Sequence, residues 1–227
     1  MIEEWRAYLY PIGFLANLLF TARFLSQWIL SEKKGLSHFS LSFWMISLMG
    51  SFLLTLHSLI QLQYPICLIQ TCNLVLYWRN WQLTKWPKKC LPSLKTVIFL
   101  LFFIVVFISS LFIATSYVTL GKIEWMRVPH FLQQKTYSVA LGWSLLGFIG
   151  TFLFASRFWL HWWRAEKNMT TALNQQFWIL SVIGSLCALC YFIKIFDIVN
   201  IIGYSAGFIP YLRNLNLSKQ RLKTEQT

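Results

Sequence analysis

The sequence predicts an all-α polytopic membrane protein of about seven transmembrane helices, arranged as two parallel three-helix repeats plus one linker helix. Three observations predict it. Apolar residues make up 57% of the 227-residue chain and charged residues only 12%, whereas about a quarter of a soluble domain is charged. Runs near the ~20 apolar residues needed to cross a bilayer recur along the chain. The first and last thirds align without a gap when one is shifted by 134 residues, the signature of an internal repeat.

The first apolar run predicts a helix over residues 11–30, started by Pro11. It is longer than the 7–15-residue apolar core of a cleavable signal and carries residues that recur later, so it is expected to stay in the mature protein. Helices over 41–60 and 65–82 complete the first repeat, with Pro65 expected to start or kink the second of these. A run over 95–119 adds one crossing; helices over 139–163, 175–194 and 198–214 then restate the first three, Pro210 falling in the last. The division expected is a first repeat over 11–83, a linker with its spacer helix over 84–138, a second repeat over 139–217 and a basic cytoplasmic tail over 218–227.

Identical residues pin the register. Gly13-Phe14 falls on Gly147-Phe148, and Phe20, Arg23, Phe24, Trp28 and Glu32 fall on Phe154, Arg157, Phe158, Trp162 and Glu166. Phe43-Trp44, Ser47 and Gly50-Ser51 fall on Phe177-Trp178, Ser181 and Gly184-Ser185; Tyr77, Arg79 and Asn80 fall on Tyr211, Arg213 and Asn214. Apolar composition alone does not align arginine, glutamate and tryptophan in one register. An odd-numbered unit fused to itself would invert, and the linker helix restores parallel orientation, as in carriers of the SWEET type.

The net charge of +13 raises the question of nucleic acid, but the basic residues lie in short loops between apolar runs, not on one soluble face; no nucleic-acid partner is expected. The positive-inside rule accounts for them and puts the N-terminus outside and the C-terminus in the cytoplasm. The five cysteines make no disulfide framework, and Cys187-x-x-Cys190 lies mid-helix as small packing residues.

Arg23 and Arg157 stand inside helices, where an arginine costs about 2.5–3.5 kcal/mol on insertion scales. Arg23 is nine residues, or about 13 Å, from Glu32, too deep for easy snorkelling, so a cavity-facing role is expected. Gln27 and its counterpart His161 share a helix face with the arginines; the four are candidates to hold a phosphate or sugar hydroxyl. Trp28, Trp44, Trp162 and Trp178 are expected near the cytoplasmic boundary, as an interfacial belt or a stacking surface for a sugar ring. Glu32 and Glu166 are expected to clamp each repeat by pairing with Arg79 and Arg213, beside Tyr77 and Tyr211, with Asn80 and Asn214 as helix caps or extra donors at a cytoplasmic mouth. Gly50-Ser51 and Gly184-Ser185 are expected to permit close helix packing. No catalytic constellation, metal-ligand cluster or phosphate loop is found, so no catalytic residue, metal or cofactor is expected.

The stretch Arg23-Phe24-Leu25-Ser26-Gln27-Trp28 with Glu32, then Phe43-Trp44, then Tyr77-Trp78-Arg79-Asn80, with its second copy from Arg157 to Asn214, resembles the lipid A disaccharide synthase N-terminal domain family. The tandem copy, with Gln63-Tyr64-Pro65-Ile66 and Asn73-Leu74, resembles the membrane module of chlamydial lipid A disaccharide synthases, and the arrangement is similar to PQ-loop and SWEET-like membrane folds. The resemblance implies a place in lipid A synthesis at the bacterial inner membrane. There the synthase joins UDP-2,3-diacylglucosamine to 2,3-diacylglucosamine 1-phosphate in a soluble glycosyltransferase domain, which these residues do not contain. The function expected is a membrane module of that step, binding a glycolipid precursor or docking a separate glycosyltransferase among membrane lipids. The alternative is a SWEET-like carrier or flippase for a sugar or lipid-linked sugar.

Overall fold

A computed structural model describes residues 2–34, 39–86, 94–125, 127, 139–168 and 173–224, with side chains described at 5–30, 39–86, 94–125, 127, 139–167 and 173–218. Its regular elements among these residues are helices: α1 (Ile2–Leu9), α2 (Pro11–Lys34), α3 (Leu41–Ile60), α4 (Tyr64–Lys85), α5 (Leu94–Leu120), α6 (Leu141–Asn168), α7 (Gln175–Lys194), α8 (Ile198–Ala206) and α9 (Phe208–Thr224). Among the described residues, five helical stretches are long and apolar enough to cross a membrane, in α1–α2, α3, α5, α6 and α7. The third of the expected seven falls short of that apolarity and the last of that length. α4 buries Thr71, Asn73, Arg79, Asn80 and Gln82 on its inner faces. The expected helix over 198–214 is two helices, broken at Gly207, where a Cβ would collide with the Tyr211 ring.

The 134-residue shift is visible in backbone detail. α7 has the bounds of α3 moved by 134 residues. Ser40 caps α3 by accepting from the Phe43 amide, and Asn174 caps α7 by accepting from the Phe177 amide, each at 3.2 Å. Both helices end in the same reversal: the amides of Gln63 and Asp197 reach back five residues to the carbonyls of Ser58 and Phe192, at 2.8 and 3.0 Å. The turning residues, Leu62 and Phe196, carry φ of 56° and 55°. Neither is glycine, and each stores about 1–2 kcal/mol of left-handed strain.

Within each repeat the three helical segments pack on one another: α2, α3 and α4 in the first, α6, α7 and α8–α9 in the second. The repeats meet where α4 lies on α6 and, in the matching contact, α8 and α9 lie on α2. The two halves are therefore related by an approximate two-fold axis between α2 and α6. α5 packs on the outside of α4 and leaves Phe99, Phe102, Phe103 and Phe107 exposed.

The paired glycines do allow close approach, but not equally. A Cβ at Gly50 would meet the Phe20 ring at 2.7 Å, whereas one at Gly184 would meet backbone of Phe154, its N at 2.5 and its Cα at 2.8 Å. A ring edge yields; a helix backbone does not. Gly184→Ala is expected to cost about 1–3 kcal/mol as overpacking, and Gly50→Ala clearly less. Thermal unfolding of the two variants in detergent checks this, and equal losses would contradict it.

Candidate functional site

A cavity of about 50 Å³ open to water-sized groups lies on the two-fold axis between the repeats. α2 and α6 each turn one arginine into it. Arg23 is 3% exposed and Arg157 0%. Around each stands the same set of rings. The Arg23 guanidinium carbon lies 4.3 Å from the centre of Phe20 and 4.8 Å from Phe24, with Phe43 and Tyr77 near 5.2 Å. That of Arg157 lies 3.5 Å from Phe154, 4.8 Å from Phe158 and 4.9 Å from Tyr211. Phe158 also faces Arg23 and Phe24 faces Arg157, so the two cages share walls across the axis.

Such cation–π contacts contribute about 0.5–2 kcal/mol each, against several kcal/mol for taking each charge out of water. Hydrogen bonds do not close that gap. None of the three guanidinium nitrogens of Arg157 has a hydrogen-bonding partner, nor do Nε and Nη1 of Arg23. The rest of the wall mixes uncharged polar groups, Asn17, Gln70, Asn73, Thr151, Asn200 and Tyr204, with apolar Leu54, Ile66, Ile69 and Ala155, and among the described residues no aspartate or glutamate lines it. Two buried cations thus face one space that no carboxylate of the described residues lines. Chemically this is a receptor for a compact anion able to accept several hydrogen bonds, a phosphate above all.

Other expected site residues take different places. Gln27 and His161 are buried one turn beyond the arginines and do not line the cavity. His161 stacks on Trp44, with ring centres 5.6 Å apart. Trp44 and Trp178 are fully buried and Trp162 nearly so, which corrects the expected interfacial belt for these three; Trp28 is half-buried. The reason is packing. Trp44 and Trp178 join Phe39, Phe43, Phe158 and Phe177 in one aromatic cluster where the repeats meet. The Trp44 indole donates to the Thr84 hydroxyl at 3.1 Å, and the Trp162 indole to Glu166 at 3.0 Å.

The ion pair expected within each repeat runs between repeats instead. Arg79 of α4 donates through Nε and Nη2 to the two carboxylate oxygens of Glu166 on α6, at 2.5 and 3.1 Å. Glu166 is therefore engaged by Arg79, not by Arg213, because α4 lies against α6. Glu32, its counterpart, has its side chain outside the described residues. Asn80 and Asn214 do not cap helix ends; each donates back to its own helix, to the carbonyls of Leu76 and Pro210 at 2.9 and 2.8 Å. Among the described residues no group of three or more His, Cys, Asp or Glu is arranged to hold a metal ion.

A second polar cluster lies outside the residues that the repeat pattern singles out. Asp197, at the start of α8, is fully buried. Its carboxylate accepts from Gln63 Nε2 at 2.8 Å, Asn200 Nδ2 at 2.7 Å and Tyr10 Oη at 3.3 Å. Gln63 and Asp197 are the same position in the two repeats, meeting on the axis. A search for identical matched residues passes over them because their types differ; a search for matched polar positions would have found them.

Comparison with known proteins follows the same division. A family model described as the Lipid A Biosynthesis N-terminal domain matches residues 12–82 and again 146–216. The chain is 37% identical over 207 residues to a lipid-A-disaccharide synthase of Chlamydia felis, covering 91% of this chain and 32% of that protein. It is 34% identical over 218 residues to that of Chlamydia pneumoniae, covering 96% and 35%. The chain spans about a third of the length of the curated relatives it matches. No solved structure matches it.

Proposed function

The chain belongs to the lipid A biosynthesis N-terminal domain family, in tandem copy, and from that premise we propose that it is a seven-span membrane module serving the lipid A disaccharide step, where it binds the phosphate of a glycolipid precursor between Arg23 and Arg157. The observation that carries the reading is the pair of buried guanidinium groups facing one cavity that no carboxylate among the described residues lines. Lipid A precursors are phosphorylated glycolipids, and a phosphate supplies the charge and the acceptors that the cavity lacks. Membrane association agrees with the five apolar helices.

Finer placement is part of the proposal. α4 is 22 residues long, about 33 Å at 1.5 Å per residue, which spans a bilayer core; α8 and α9 cross together as the seventh span. The N-terminus lies outside and the C-terminus in the cytoplasm of an inner membrane. Residues 11–83 and 139–217 form the two repeats about the linker helix. Arg79 and Glu166 sit at the cytoplasmic mouth, together with Glu32, Asn80, Arg213 and Asn214, while Tyr77 and Tyr211 wall the cavity behind it. A separate glycosyltransferase would take up the presented lipid there.

Cells depleted of this protein are expected to accumulate a diacylglucosamine 1-phosphate and its UDP-linked partner, read by mass spectrometry of lipid A precursors. Complementation with Arg23→Gln or Arg157→Gln is expected to leave at least a tenfold excess of precursor, while membrane levels of the variant stay normal. Unchanged precursors and normal lipid A on depletion would remove the assignment to this step. One observation favours the carrier reading: the repeats touch at both ends of the cavity, Gln63 with Asp197 at one and Arg79 with Glu166 at the other. Flipping of a phosphorylated glycolipid by the protein alone in liposomes distinguishes a carrier from a presenting module.

A further inference from the structure

A carboxylate buried inside a membrane bundle is expensive and is ordinarily paired with a cation. Asp197 is 0% exposed, and no lysine or arginine among the described residues comes within ion-pair distance of it. What holds it is a set of neutral donors: the Gln63 and Asn200 side-chain amides, the Tyr10 hydroxyl and, at 3.3 Å, the Asn200 backbone amide. The Asn200 side chain also lines the arginine cavity, so the carboxylate stands one residue behind the anion site. Gln63 contributes a further feature. Its Nε2 donates to Asp197, while its Oε1 is buried with no partner. A half-turn of that amide presents an acceptor to a protonated Asp197, so one residue serves both states of the acid.

The groups facing Asp197 from the neighbouring helices are few. α3 presents His57, fully buried, with neither ring nitrogen hydrogen-bonded and its ring 5.2 Å from that of Tyr10. α7 presents Tyr191 and α8 Tyr204, both within its electrostatic reach. Arg127 shares with Gln63 the wall of a smaller cavity, and Tyr204 is also within electrostatic reach of Arg157. In the other repeat the positions of His57 and Asp197 are held by Tyr191 and Gln63. The ionisable pair is therefore where the two-fold symmetry is broken.

We propose that Asp197 is a proton-binding site coupled to the anion cavity, so that the module binds its phosphorylated ligand together with one proton. The sign follows from the charges. A phosphate in the cavity adds negative charge to a core of low dielectric next to the Asn200 side chain that holds Asp197, and a second negative charge nearby is disfavoured. Asp197 then takes up a proton from solvent and keeps it, its O–H donating a hydrogen bond to Gln63 Oε1. By linkage, lowering the pH through the titration of Asp197 tightens the ligand.

The inference rests on the phosphate reading of the arginine cavity, and one experiment separates the two. The full chain in detergent is titrated calorimetrically with dodecyl phosphate in two buffers of different ionisation enthalpy, which counts protons exchanged per phosphate bound. The same is done for Asp197→Asn, which keeps a helix-capping side chain and places an amide where the other repeat already has one. The difference between the two proteins removes the phosphate's own ionisation. Wild type is expected to take up close to one more proton than Asp197→Asn, and its affinity to rise up to about tenfold per pH unit where the variant's does not. Equal proton counts with binding intact would overturn the proton site and leave the anion site standing. Extra uptake that persists in Asp197→Asn and disappears in His57→Gln would overturn it in favour of the imidazole. Absence of dodecyl phosphate binding in wild type would overturn both readings.

Discussion

Arg157→Met is expected to make the empty protein more stable and to abolish its function. The guanidinium is fully buried, none of its nitrogens has a hydrogen-bonding partner, and Arg23 faces the same cavity with like charge. Methionine keeps the unbranched chain against the Phe154, Phe158 and Tyr211 rings and removes only the charge. Replacing buried charged groups by apolar ones of similar volume commonly gains about 1–4 kcal/mol. The lost cation–π contacts, about 0.5–2 kcal/mol each, offset part of that. A net gain of about 1 kcal/mol corresponds to a rise of roughly 2–4 °C in thermal midpoint for a chain of this length. Dodecyl phosphate should raise the midpoint of wild type, since a ligand stabilises the state it binds, and leave that of Arg157→Met unchanged. A variant less stable than the empty wild type would mean that the arginine is held for packing, and the phosphate reading would fall with it. Gain of stability on loss of function is what a residue retained for a ligand shows.

The arginines were legible in the sequence because a charge inside an apolar run is a local signal, and its recurrence at a fixed shift doubles it. The same holds for α3 and α7, whose capping residues Ser40 and Asn174 and apolar periods are written in adjacent residues. What was not legible depends on which helices meet. Arg79 and Glu166 are 87 residues apart, and their pairing follows from α4 lying on α6, which no local pattern states. Tryptophan's preference for interfaces points these side chains to the membrane boundary; burial of Trp44 and Trp178 follows from the meeting of two aromatic sets across the axis. Asp197 escaped because α8 begins with a residue that reads as an ordinary cap, and only the fold brings Gln63, Asn200 and Tyr10 to it.

Breaking the Arg79–Glu166 pair is expected to have the largest cost of any single change outside the cavity. The two side chains are 4% and 13% exposed, both carboxylate oxygens accept from Arg79, and Oε1 also accepts from the Trp162 indole. Removing one partner leaves the other charge buried, which costs about 3–5 kcal/mol for buried pairs. Glu166→Gln and Arg79→Met should each lower the thermal midpoint by several degrees. The doubly substituted protein should recover part of the loss, because no buried charge is left without its partner. Additive losses in that double-mutant cycle would show that the two residues act separately. The pair also bears on function, because it ties α4 of one repeat to α6 of the other. In a carrier that tie must open in each cycle, so weakening it would speed flipping in liposomes. In a presenting module it only holds the mouth in shape, so weakening it would lower lipid A output without any flipping appearing. The same two variants thus separate the readings by the direction of the functional change, independently of the cavity residues.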